Sequence, residues 1–255
     1  MRVVVVALAA LAVLAVAPRA AIAAEITVLC PRGVQAPVTS VAEAFTRETG
    51  HAVRFVFGTA GGLQARAAGE QPADVVITSV LGVEVLGRRG AVAVGSRVDL
   101  GRVGVGVAVA SAAPGPDIAT PEALREALLA APSIGYADPA RGGQGGIHFA
   151  SVIERLGIAD SVRGKTRVFP EGLAALQAVA AGELALAAAP ISEIIATPGL
   201  RLAGPLPPSL QARLAYAAAL LIRAPQPDAA RAFLTFLGTP EARTHFTAAG
   251  FETSE

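Results

Sequence analysis

The stretch EITVLCPRGVQAPVTSVAEAFTRETGHAVRFVFGTAGG, residues 25–62, decides the architecture. Residues 26–29 form an apolar run long enough for a strand and too short for a helix. Pro37 stands where a first helical residue is favoured, Val38, Val41, Ala42 and Phe45 recur at helical spacing, and Gly50 supplies the stop. Val53, Phe55 and Phe57 then alternate into a second strand, which ends in Gly58-Thr59-Ala60-Gly61-Gly62. Strand, helix and strand in this order predict a parallel sheet with helices on its faces.

Towards the C-terminus the same grammar predicts a short helix over 63–68 and a third strand over 73–78. Residues 103–110 then form a long Gly/Val/Ala run with no helix directly after it, which reads as a strand crossing out of the first lobe. Thr120-Pro121-Glu122 opens a helix with Thr120 as its cap. Strands over 133–137, 166–169 and 184–188 alternate with helices over 145–156 and 172–181, a second complete α/β unit. A second apolar run, 214–222, returns the chain, and 227–250 supplies two closing helices broken at Gly238-Thr239-Pro240. The expected fold is α/β with two lobes, each a mixed sheet flanked by helices. One lobe is 25–107 with 215–255, the other is 108–214, and the two crossings between them make a hinge.

At the other end, Arg2, the apolar run 3–16 and the small residues around Ala21 and Ala23 read as a secretory signal peptide, residues 1–24. The expected location is therefore the periplasm, as a soluble protein. Of the 21 Lys and Arg, only Arg2 and Arg19 fall in that leader, leaving 19 bases against 20 acids. This balance, with no basic cluster beyond Arg88-Arg89, argues against a nucleic-acid partner. The single cysteine, Cys30, cannot form an internal disulfide, and its apolar flank predicts a buried structural thiol. His51, His148 and His245 are far apart, and no His, Cys, Asp or Glu spacing matches a metal site, so neither a cofactor nor a metal is expected. A monomer is expected.

Ligands of open α/β sheets sit beyond the carboxyl ends of the strands, so the turns there are the candidate site. Arg32 and Gly33 follow the first strand; Thr59, Ala60 and Gly61 follow the second; Ala140, Arg141 and Gly142 precede the helix of the second unit. Glycine lets a backbone approach closely, and a helix start offers unpaired amides and a positive dipole end. Two such turns facing across a cleft suit an anion, and Arg32 with Arg141 would grip a carboxylate or an oxyanion in bidentate fashion. The turns match neither a dinucleotide fingerprint nor a P-loop. A catalytic reading lacks an acid or base in the right place.

Residues 27–30, the helix end at 45–50, Gly62-Leu63 with Gly69, Pro72-Ala73-Asp74-Val75, and the closing Pro240-Glu241-Ala242 with Gly250-Phe251 resemble the periplasmic molybdate-binding components of ABC importers, type II solute-binding proteins. The resemblance covers nearly all of the mature chain. It implies capture of a small anionic solute by hinge closure and delivery to an inner-membrane ABC permease, or, alternatively, presentation of that solute to a membrane histidine kinase. The family's anion-binding turns carry over as Gly33, Thr59 and Ala60 in the first lobe and as Ala140, Gly172 and Ala189 in the second. This sequence departs from the family's pattern: Arg32-Gly33 replaces the usual serine, and Ala188-Ala189-Pro190 lacks the usual tyrosine. Lost hydroxyls and a gained arginine make an organic carboxylate as good an expectation as molybdate or tungstate.

Overall fold

The computed structural model describes residues 23–69 and 72–253. The expected signal peptide therefore lies, except for its last two residues, outside the described residues. Among the described residues no helix is long and apolar enough to cross a membrane.

Two five-stranded mixed sheets carry the fold. In the first, β1 (Glu25–Pro31) pairs in parallel with β2 (Ala52–Gly58) and β3 (Val75–Ser79). Helix α1 (Gln35–Thr49) joins β1 to β2, and α2 (Ala60–Ala68) joins β2 to β3. Gly50 closes α1 at φ 76°, the left-handed conformation that glycine adopts without a Cβ penalty. The start of α2 takes in the glycine-rich turn itself: Thr59 is its cap, its side chain accepting from the Gly62 amide. Helix α3 (Val80–Arg88) follows, then β4 (Val98–Val103) at the edge of this sheet.

The chain changes sheets at Gly104. Strand β5 (Val105–Ala110) lies in the second sheet, so the run 103–110 is the end of one strand and the whole of another. Helix α4 (Pro121–Ala130) starts on Thr120, whose hydroxyl accepts from the Ala123 amide at 3.1 Å, as its sequence predicts. Then come β6 (Ile134–Ala137), α5 (Gln144–Arg155), α6 (Ala159–Arg163), β7 (Thr166–Phe169), α7 (Gly172–Ala180), β8 (Leu186–Pro190), α8 (Ile191–Ile195) and β9 (Leu200–Pro205). Strands β6, β7 and β8 are parallel, while β5 is antiparallel to both β8 and β9.

Residues 206–213 lead back to the first sheet. There β10 (Leu214–Leu220) inserts antiparallel between β3 and β4, and α9 (Pro227–Leu237) and α10 (Pro240–Ala248) close the chain. The sheet orders, β2-β1-β3-β10-β4 and β7-β6-β8-β5-β9, match position by position. In each, the fourth place is filled by a strand arriving from the other sheet. The two crossings are tied together by Gln211: its Oε1 accepts from the Val105 amide at 2.8 Å, and its Nε2 donates to the Val105 carbonyl at 2.9 Å. His148 fastens the same return segment, its Nε2 lying 2.7 Å from the Leu210 carbonyl oxygen.

Apolar burial follows this plan. Phe45 from α1 meets Phe233 and Phe236 from α9 edge to face, and Phe149 of α5 is fully buried against the second sheet. Cys30 is buried and free, and burial pushes its thiol well above the usual range, so it packs as a small apolar side chain.

Candidate functional site

The parallel strands β1, β2, β6 and β8 all end at one cavity between the two sheets. It leaves about 30 Å³ for the centre of a water-sized sphere, which is space for roughly two waters or one carboxylate group.

From the first sheet the wall comprises Pro31, Arg32 and Gly33 after β1, Gly58, Thr59 and Ala60 after β2, and Tyr216 from β10. From the second sheet it takes the first turn of α5 at Gln144, Gly145 and Gly146, then Glu171 and Gly172 at the start of α7. Ala137 at the end of β6, Gly143 ahead of α5, Ala188, Ala189 and Pro190 at the end of β8, and Glu193 on α8 complete it. Helices α2, α5 and α7 thus all aim their N-termini at the cavity, where first-turn amides have no intrahelical partner and the dipole favours negative charge. Glycine is required on α5 for a packing reason: a Cβ on Gly146 would sit 1.8 Å from the Ala137 carbonyl oxygen.

The cleft is shut. Gly61 donates its amide to the Gly142 carbonyl at 3.2 Å, and the Thr59 hydroxyl donates to the Arg141 carbonyl at 2.5 Å. The Ser192 hydroxyl donates to the Gly33 carbonyl at 2.6 Å, and Arg32 Nε pairs with Glu171 at 3.0 Å. Arg32 is further held by Gln35, which accepts from Nη1 at 2.8 Å, and by the Phe57 ring, whose centroid is 4.7 Å from the guanidinium carbon. Two of its five N–H donors are thereby used and its plane is fixed, while the rest remain for a ligand.

Arg32, Gly33, Thr59, Ala60, Gly172 and Ala189 line the cavity, whereas Gly61 and Gly142 form the contact that closes it. The paired-arginine grip does not form. Gly142 at φ 74° ends the short turn Pro139–Arg141, which turns the Arg141 carbonyl towards Thr59 and leaves the Arg141 side chain exposed, outside the cavity wall. Ala140 is exposed too, its amide donating to Asp138 at 2.9 Å.

Sequence reasoning missed Glu171, the partner of Arg32, and two further residues of the wall. Tyr216 reaches the cavity from the first sheet, its hydroxyl oxygen only 2.6 Å from where a Cβ on Gly33 would lie, so Gly33 is required there. Burial, and after it the neighbouring Glu193 carboxyl, keeps this phenol neutral and able to donate. Glu193 is the second. Its Oε2 is buried with no hydrogen-bond partner among the described residues. Burial pushes its carboxyl from 4.5 up to about 7; nearby Arg32 pulls it down and Glu171 pushes it up.

That shift has a sign in stability. The folded chain holds the Glu193 proton to about pH 7 and the unfolded chain only to 4.5, so the stabilisation is complete below 4.5 and is lost as pH rises to about 7. The loss is on the order of 3 kcal/mol. Glu193→Gln is therefore expected to gain in melting temperature over the wild type between pH 4.5 and 8. A difference between the two that stays constant with pH would show that Glu193 is not buried in this way.

The sequence profile of the bacterial extracellular solute-binding proteins matches residues 26–252. An aconitate isomerase from Pseudomonas sp is 33% identical over 224 residues, covering 85% of this chain and 83% of that one. The periplasmic molybdate-binding protein of Azotobacter vinelandii has the same fold, with a TM-score of 0.75 and 18% identity, over 90% of this chain and 100% of its own. The sulfate-binding protein SubI of Mycobacterium tuberculosis H37Rv aligns with a TM-score of 0.64 and 18% identity, over 89% of this chain and 86% of its own.

Proposed function

Since this chain belongs to the bacterial extracellular solute-binding proteins, we propose that it captures a small carboxylate anion between two lobes and delivers it to an inner-membrane ABC permease. The first sheet with its helices is taken as one lobe and the second as the other, hinged at Gly104 and at 206–213. The protein is taken to work as a monomer in the periplasm after loss of its leader. The observation that carries the reading is the convergence of three helix N-termini and Arg32 on a cavity the size of one carboxylate. A planar carboxylate uses the remaining guanidinium donors in pairs and the α5 amides at its other oxygen. The wall offers one free hydroxyl, on Tyr216, where a tetrahedral oxyanion stripped of water needs a ring of donors. The rest of a polycarboxylate extends towards the mouth. The sensor alternative draws no support from the fold or the relatives.

A thermal-shift series with molybdate, tungstate, sulfate, and mono-, di- and tricarboxylates tests this. A ligand at a hundred times its dissociation constant adds about 2.7 kcal/mol, which for a chain of this size raises the melting temperature by roughly 5–10 °C. A shift with carboxylates is expected; a shift with the oxyanions alone would overturn the ligand class. Arg32→Ala is expected to weaken the carboxylate by about 30-fold, the loss of one charge-assisted contact. Arg141→Ala is expected to change affinity by about 2-fold at most, as for an exposed charge; calorimetry distinguishes the two.

A second reading is turnover of the ligand in the same cleft. It is favoured by Glu193, an acid held near neutrality in the cavity wall, and by the relative named for the isomerisation of aconitate, an unsaturated tricarboxylate.

A further inference from the structure

We propose that Glu193 is a proton-transfer group that carries out a 1,3-proton shift on an unsaturated polycarboxylate bound in the cleft, an inference that rests on the carboxylate reading above. Three features of the cavity combine to support it. First, Glu193 Oε2 is buried, lines the cavity and has no partner among the described residues, which is an unusual state for a carboxylate with no task. Second, the neighbouring Glu171 is committed to Arg32 at 3.0 Å, which leaves Glu193 as the carboxylate able to exchange a proton with a ligand. Third, the cavity admits one carboxylate, so the atom brought beside its walls is the carbon next to the gripped group, and that is the acidic carbon.

The step balances without an oxidant or a cofactor. Ionised Glu193 takes a proton from the CH2 carbon adjacent to the held carboxylate. The C–H electron pair becomes a new C=C bond, and the former π pair shifts along the chain to give a dienolate. The added negative charge is delocalised over the three carbons and the carboxylates at both ends, and the share on the held carboxylate is met by Arg32, the neutral Tyr216 hydroxyl and the amides at the start of α5. Glu193 then returns the proton to the carbon at the far end. In propene-1,2,3-tricarboxylate the two ends are equivalent in constitution, so the shift regenerates the same compound with the geometry of its double bond chosen anew. One base on one face suffices, and the protein holds one. The base is set for this work: burial holds its proton affinity close to neutral pH, so it both removes and returns a proton readily.

The test is proton NMR of the mature protein with trans-aconitate in D2O, with binding followed in parallel by calorimetry. The expected result is conversion to the cis isomer with deuterium entering at the methylene and vinyl positions. The initial rate should rise with pH through about 7, as Glu193 ionises among the groups facing it, Arg32, Glu171 and Tyr216. In Glu193→Gln, conversion at saturating ligand should fall by about 100-fold or more. Conversion retained in that variant overturns the proposal. Wild-type protein that binds the tricarboxylate but neither converts it nor exchanges deuterium also overturns it, and leaves capture standing. Failure to bind any carboxylate overturns both.

Discussion

Gly61→Val is expected to leave the protein folded and to lower its affinity for ligand by about 100-fold or more, because it wedges the cleft open. A Cβ on Gly61 would stand 2.9 Å from the Gly142 Cα, and a Cβ on Gly142 would stand 2.7 Å from the Gly61 Cα. These neighbours are backbone atoms at a turn, which cannot rotate away as a flexible side chain would. The Gly61 amide bond to the Gly142 carbonyl, 3.2 Å, and the Thr59 hydroxyl bond to the Arg141 carbonyl, 2.5 Å, are lost together when the turns part. Each such bond contributes about 1 kcal/mol, so their loss with the clash makes roughly a 100-fold change in affinity. The fold itself has little to lose. Gly61 is exposed in the first turn of α2, is not at positive φ, and tolerates a side chain there in the open form. Calorimetry gives the affinity, and small-angle scattering shows whether ligand still compacts the molecule. Affinity and compaction both equal to the wild type would mean that closure does not run through this contact.

What the sequence made legible follows from where each signal resides. Caps and stops are local, and they were read correctly: Gly50 ends α1, Thr120 starts α4, and Gly238-Thr239-Pro240 divides α9 from α10. Central strands such as β1 and β3 announce themselves as apolar runs because both faces are covered. The strands left unread are β4 and β9, and each lies at the edge of its sheet, where polar residues such as Asp99, Arg102 and Arg201 interrupt the pattern.

The site was less legible for a different reason. Its glycines and Arg32 follow strands, so topology alone pointed at them. Glu193 lies on a helix of five residues in the unread stretch after β8, and its burial comes from the approach of the Gly33 turn, which no local pattern records. Tyr216 sits in a strand that was read, but its part in the cavity depends on β10 lying between β3 and β4. Arg141 misled because a turn's sequence does not say which way its last side chain points; here its carbonyl meets Thr59 while its side chain is exposed.

Asp74→Ala, just ahead of β3, is expected to destabilise the protein by roughly 3–5 kcal/mol. The residue belongs to Pro72-Ala73-Asp74-Val75, and its side chain is 2% exposed. Oδ2 accepts from the Thr27 amide of β1 at 2.8 Å, and Oδ1 accepts from the Gln226 amide at 2.6 Å, just ahead of α9. Its own amide donates to the Thr27 carbonyl at 2.8 Å, and its carbonyl accepts from the Leu221 amide at 2.9 Å. One residue thus ties the start of the sheet to the returning chain, across 152 positions of sequence in the longest link. Alanine leaves two amide donors without their acceptor, and each loss is of a bond to an ionised group. For a chain of this size the melting temperature should drop by roughly 8–15 °C. Asn tests the cause. It matches the shape but replaces one acceptor with an NH2 that must face an amide, so Asp74→Asn should recover less than half of the loss. Full recovery would mean that the side chain matters here for its volume rather than for accepting both bonds.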